Sequence, residues 1–304
     1  MIEQSCSVQW ADPEVAVWGT APVAAFWVAL EQNGPWGSRA WTQSGLPPEL
    51  GAAIEQACLD HGGRGLLIRN PAAHPRGAGL RRAYVAGALG SRPWLLAGHL
   101  DDPTRLLDLP FGSLSTGPAA AVSATVPWLV EQPDGLLLVC ANGRRDPCCA
   151  RSGGPLGRQL LTSHPNQVWE SSHLGGHRFA PTALVLPTGQ VLGRLTRQLA
   201  EAALAAASRR ELVGPGGLHD RGRSHLAPEL QVADAFVRAA VQATDPARLL
   251  LEAATVGSGV TVRDTCNGQV KAVVLERRAL SARPESCGAQ AIPATAWEAR
   301  WREE

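Results

Sequence analysis

The sequence predicts an α/β protein made of two successive units with a small β appendage at its C-terminal end. Three observations carry this. Short apolar runs of strand length alternate with longer segments of helical period. A stretch rich in Gly, Ser and Ala, from Gly112 to Thr125, divides the pattern in two. The last part of the chain reads as a hairpin around Asn267-Gly268. With 304 residues there is room for two ordinary domains. The expected division is 1–125 for an α/β unit without a cofactor, 126–245 for a core carrying the chemistry, and 246–304 for the appendage.

In the first unit, Phe26 to Leu30 is an apolar strand stopped by Asn33-Gly34-Pro35. Leu50 to Leu59 has helical spacing, with Pro47-Pro48 ahead of it and Gly62-Gly63 behind. Leu66 to Ile68, Ala83 to Leu89 and Leu95 to Leu100 read as strands. The second unit opens on a strand from Leu136 to Val139 that runs into Cys140. A helix from Pro155 to about Thr162 and a strand from Gln167 to Glu170 follow. Ala183 to Leu186 and Gln190 to Leu192 pair across Pro187-Thr188-Gly189. An Ala-rich helix spans Leu195 to Arg209, and a second, N-capped by Ser224, spans Leu226 to Ala243. Val256 to Val262 and Val270 to Arg277 form the final hairpin. There is no internal repeat of solenoid period.

A formal net charge of +1 offers no general attraction for nucleic acid or an anionic membrane. The apolar runs are far shorter than the roughly 18 residues of a membrane span. The first residues lack the basic and apolar regions of a signal peptide. Seven Cys, an odd number spread along the chain, do not read as a disulfide framework, so a reducing cytoplasm is the expected location. The basic residues are almost all Arg, a composition that suits a GC-rich bacterial genome.

The densest chemistry lies between Cys140 and His177. Cys140-Ala-Asn-Gly-Arg-Arg-Asp-Pro-Cys148-Cys149 is followed by Trp169-Glu-Ser-Ser-His173-Leu-Gly-Gly-His177-Arg-Phe-Ala. Two thiolates and two imidazoles make a four-ligand set that zinc and iron–sulfur clusters both accept. Eight residues separate Cys140 from Cys149, more than the tight knuckle of a small zinc fold. A binuclear cluster is wider and tolerates such a loop. Gly175 and Gly176 argue against a helical pair of histidines and for a loop whose backbone approaches something closely. Arg144, Arg145 and Arg151 would favour thiolates nearby, or are solvated surface charges.

The words Cys-x8-Cys-x5-Pro-Leu and Trp-Glu-x2-His-x-Gly-Gly-His-Arg-Phe-Ala resemble those of the sucrase/ferredoxin-like family of thioredoxin-like ferredoxins. Gly34-Pro35-Trp36-Gly37, Leu67-Ile68-Arg69, Arg221-Gly222-Arg223-Ser224 and Ser286-Cys287-Gly288 also match words of bacterial members. The resemblance implies a thioredoxin-like ferredoxin core and one 2Fe–2S cluster ligated by Cys140, Cys149, His173 and His177. It also implies one-electron transfer. Imidazole ligands would couple that electron to a proton, since a second ring N–H changes its acidity with the metal's charge, and without a nicotinamide or flavin fingerprint the donor and acceptor are other proteins. A cluster-dependent thiol reductase or redox sensor using Cys148, and a structural zinc protein, are the alternatives. Two departures are visible: Asn142 stands where many relatives have His, and residue 148 is Cys where eukaryotic relatives have a basic residue. Cys149 keeps the family register, leaving Cys148 a spectator or a substitute.

Cys6, Cys58, Cys266 and Cys287 stand apart in the sequence and read as packing residues. His219-Asp220 lacks a nucleophile elbow, and Gly214-Pro215-Gly216-Gly217 lacks the Lys-Ser/Thr of a phosphate cradle. The ten Trp are scattered and read as packing, with Trp169 placed to shield the Cys/His site.

Overall fold

The structure, a computed structural model, describes residues 5–70, 79–214, 217–253 and 259–303. After a one-turn helix α1 (Cys6–Gln9), the first half runs β1 (Trp27–Glu31), α2 (Pro48–Asp60), β2 (Arg64–Arg69), β3 (Arg81–Gly87) and β4 (Trp94–Leu100). Two short helices, α3 (Phe111–Leu114) and α4 (Ala119–Thr125), then lead to β5 (Val130–Glu131). The second half runs β6 (Leu136–Cys140), α5 (Gly154–Leu161), β7 (Val168–Ser171), β8 (Ala183–Leu186), β9 (Gln190–Leu192), α6 (Arg197–Ser208) and β10 (Asp220–Arg223). Helix α7 (Pro228–Val241) leads to β11 (Leu249–Ala253), β12 (Gly259–Asp264), β13 (Val270–Arg283) and β14 (Ile292–Trp301).

Strands β1 to β10 form a single sheet in the order β10-β9-β8-β6-β7-β2-β1-β3-β4-β5. Its two halves follow one plan. β1 lies parallel to β2 and antiparallel to β3, as β6 lies parallel to β7 and antiparallel to β8. Two further antiparallel strands extend each half outward. The halves meet where β2 runs antiparallel to β7, with Ile68 opposite Ser171 and Arg69 opposite Glu170. An Arg69–Glu170 ion pair of 2.7 Å and hydrogen bonds between Leu67 and Ser172 lock this seam. The class is therefore the expected α/β, with helical connections covering a mixed sheet.

Alternation along β6 decides where the chemistry faces. All five residues are buried: Leu137 and Val139 pack with Leu156 and Leu160 of α5 and with α6, while Leu136, Leu138 and Cys140 turn to the opposite face. There Cys140 joins Trp27, Tyr84, Trp169 and Leu184. Each such apolar side chain contributes about 2 kcal/mol by leaving water, so the strand's register, and with it the aim of the sulfur, is strongly held.

The stretch from 112 to 125 forms α3 and α4, which bury Leu114 and Val122 against the first half. Some expectations need correction. Ser224 does not cap α7. That helix is preceded by Ala227 and begins with Pro228, whose missing N–H needs no partner there. The Ser224 hydroxyl instead accepts from Trp27 Nε1 at 2.9 Å and donates to Ala24 O at 3.1 Å. The C-terminal appendage is a four-stranded antiparallel sheet, β11-β12-β13-β14, rather than one hairpin. Its apolar face packs on Val232 and Val237 of α7. Val256, expected at the hairpin's start, and Pro215 and Gly216 of the glycine-rich loop lie outside the described residues.

Candidate metal centre

Cys140 ends β6, with its N–H held by Thr182 O at 2.9 Å. The chain then makes a tight loop: Asn142 O accepts from Asp146 N at 3.2 Å, and Asn142 Nδ2 donates to Gly37 O at 3.1 Å. Cys149 opens a single π-helical turn, Cys149–Gly153, that passes into α5. Wide turns of this kind aim side chains that a regular helix would not. His173 follows Ser172, whose backbone N–H and hydroxyl are both engaged by Leu67 of β2. The seam between the halves thus sets the height of the imidazole above the strand ends.

These elements bring Cys140 Sγ, Cys149 Sγ and a His173 ring nitrogen together, all within 4.8 Å of one another. His177 lies outside that set. Its ring centroid is 5.4 Å from that of His173, and its Nε2 is 3.5 Å from Asp146 Oδ2. Both sulfurs are buried, under Trp169, which packs edge-on to Tyr84 at 5.7 Å. Among the described residues, Nδ1 of His173 and both ring nitrogens of His177 are buried without a close hydrogen-bond partner, Asp146 Oδ2 standing 3.5 Å from His177 Nε2.

The electrostatics divide the two thiols. The hydrogen bond with Cys149 holds the Cys140 thiol well below its ordinary range against the cost of burial, and His173 adds to this. The same bond, with burial, pushes Cys149 up. Burial lowers His177, although Asp146 opposes this. Burial works to raise the Asp146 carboxyl, but the N–H groups of Cys287 and Cys148, together with His177, outweigh it and hold it low.

The nearby cation is not the one expected. Arg144, Arg145 and Arg151 are exposed. The buried one is Arg221, at the second position of β10. Its guanidinium donates to Gly175 O at 2.9 Å, to Thr20 Oγ1 at 3.1 Å and to Thr20 O. Burial brings it down to about 9, Arg178 adds to that, and the Cys140 and Cys149 sulfurs oppose both. The His-x-Gly-Gly-His loop folds over this guanidinium. Gly175 and Gly176 have φ of +74° and +67°, and a Cβ at Gly176 would strike the Arg221 guanidinium.

A second group was invisible in the sequence. Cys6, Cys148 and Cys287 converge with Asp146, correcting the reading of Cys6 and Cys287 as isolated packing residues. Cys58 does pack in the first core, and Cys266 is exposed. Only Ser286-Cys287-Gly288 carried a local signal, as a word shared with relatives.

The fold and site define a mixed α/β protein with a buried thiol–imidazole centre at the ends of its middle strands. The sucrase/ferredoxin-like family matches residues 17–214, and the chain belongs to that family. No curated protein and no solved structure matches the chain significantly. Among the described residues, no helix is long and apolar enough to cross a membrane.

Proposed function

We propose that the protein carries one 2Fe–2S cluster on Cys140, Cys149, His173 and His177 and passes single electrons between partner proteins. The convergence of Cys140, Cys149 and His173, with the buried ring of His177 beside them, carries this reading. The donor set fits the group: two buried sulfurs, and Nδ1 of both His173 and His177 buried without a hydrogen-bond partner among the described residues. When bound, such a cluster accepts and releases one electron, at a potential above that of an all-thiolate cluster because imidazoles are neutral.

The chain's own residues supply the rest. The hydrogen bond from Cys149 favours a thiolate at Cys140, and the Arg221 guanidinium attracts negative charge on both sulfurs. Trp169 and the apolar face of the sheet exclude water. Asp146, 3.5 Å from His177 Nε2, can hold an outward N–H of that ring, so a proton can accompany the electron. Anaerobic visible spectroscopy with iron and sulfide analysis tests the reading. Red-brown protein with iron and sulfide in equal amounts, both lost in Cys149→Ser, is expected. Colourless protein holding zinc on these residues would overturn it.

A further inference from the structure

We propose that Cys6, Cys148, Cys287 and Asp146 form a second metal centre, a zinc site of three thiolates and one carboxylate that ties both ends of the chain to the cluster loop. It goes beyond the electron-transfer reading and does not depend on it.

The geometry carries the inference. Cys148 Sγ lies 3.1 Å from Cys287 Sγ and 3.5 Å from Cys6 Sγ, and Cys287 Sγ lies 3.7 Å from Cys6 Sγ. Tetrahedral zinc, with Zn–S near 2.3 Å, places its sulfurs about 3.8 Å apart. A carboxylate oxygen of Asp146 lies within 4.8 Å of all three sulfurs. Three mutually adjacent thiols do not suit a disulfide, which uses two and strands the third. A metal uses all three.

The surroundings are built around the carboxylate. Asp146 is buried, its Oδ1 accepting from Cys148 N at 2.9 Å and its Oδ2 from Cys287 N at 3.0 Å. Two backbone N–H groups therefore fix the carboxylate against the thiols, Oδ2 faces His177 Nε2, and Oδ1 keeps a lone pair for a cation. Soft sulfur with one hard oxygen in a four-donor set suits Zn2+ among common divalent ions. On binding, the three thiol protons pass to solvent, and the site carries the formal charge of a four-thiolate zinc centre.

The three cysteines come from distant places. Cys6 begins α1, Cys148 ends the cluster loop, and Cys287 follows β13. The segment before Cys287 is also held down: Trp10 Nε1 donates to Pro284 O at 2.9 Å, and Arg178 pairs with Glu285 at 3.6 Å. Zinc here would fasten the segment whose Glu285 backbone meets His177.

Metal analysis and zinc-edge X-ray absorption on the purified full chain, in reducing buffer and challenged with a chromophoric chelator, test the proposal. One zinc per chain, with three sulfurs and one oxygen in its first shell, is expected. Cys6→Ser and Cys287→Ser should each lose that zinc while keeping iron and colour, and Cys266→Ser should keep both. The absorption measurement needs no variant and stands if a variant fails to fold. Zinc not retained against the chelator, a disulfide among the three cysteines, or zinc with two sulfurs that vanishes in Cys140→Ser would each overturn the proposal. Iron without this zinc sinks this proposal alone, and this zinc without iron sinks only the electron-transfer reading.

Discussion

Cys148 and Cys149 are consecutive, yet their sulfurs belong to different groups. Cys149 Sγ joins Cys140 and His173, while Cys148 Sγ lies 3.1 Å from Cys287 and 3.5 Å from Cys6. At the entry to the π-helical turn, neighbouring side chains point about 100° apart, so one loop serves two centres. Cys148→Ser should therefore leave the visible spectrum and iron content intact, and Cys149→Ser should abolish both. Loss of colour in the Cys148 variant would show that the two residues share one centre.

The glycines of the His-x-Gly-Gly-His loop should differ in their tolerance. Both have positive φ, but a Cβ at Gly175 meets nothing within 4 Å, whereas one at Gly176 meets the Arg221 guanidinium. Gly175→Ala should cost about 1 kcal/mol from backbone strain. Gly176→Ala should cost more and displace His177. Chemical denaturation and iron content would measure this, and equal effects at the two positions would refute it.

Arg221 holds two segments to the site by hydrogen bonds from a buried guanidinium. Arg221→Met would leave Gly175 O and Thr20 Oγ1 without their donor. A loss of about 3 kcal/mol is expected in denaturant unfolding. Arg221→Lys should rescue little of it, since an ammonium lacks the planar fork that spans both partners. Full rescue by Lys would show that only the charge matters.

These contacts mark the limit of what could be read in advance. The α/β alternation, the strand ending on Cys140 and the nearness of Cys140, Cys148, Cys149 and His173 follow from short-range patterns that survive in one dimension, while the preference for Cys149 over Cys148 rests on the resemblance to the family. Cys6 and Cys287 lie 142 and 139 residues from Cys148, and no periodicity links such distances. The doubled plan of the sheet was hidden for another reason: topology repeats and residues do not. Where β6 ends on Cys140, β1 ends on Glu31. Arg221 was noticed only as part of a shared word, because nothing local tells a buried Arg from a solvated one.

Acid should weaken the fold through His225. Burial, with Arg223 nearby, lowers its pKa from 6.5 to about 3. The folded state therefore binds this proton less readily than the unfolded state. The stability contributed by neutral His225 is complete above the unfolded pKa and is lost as pH falls through 6.5 towards 3. Denaturation midpoints between these values should fall with pH in the native protein and fall less in His225→Gln. Parallel slopes for the two would refute the assignment.

The seam between β2 and β7 has a consequence for any attempt to divide the protein. In each half, the strand that carries the join stands next to the half's own first strand, at the middle of the sheet. Severing the chain there, as in a 126–304 fragment, would expose a raw strand edge beside a buried apolar face. Unpaired N–H and C=O groups in such surroundings recruit another strand. Isolated halves would therefore stick to one another or to copies of themselves, and aggregation would be the first sign that the seam had been opened.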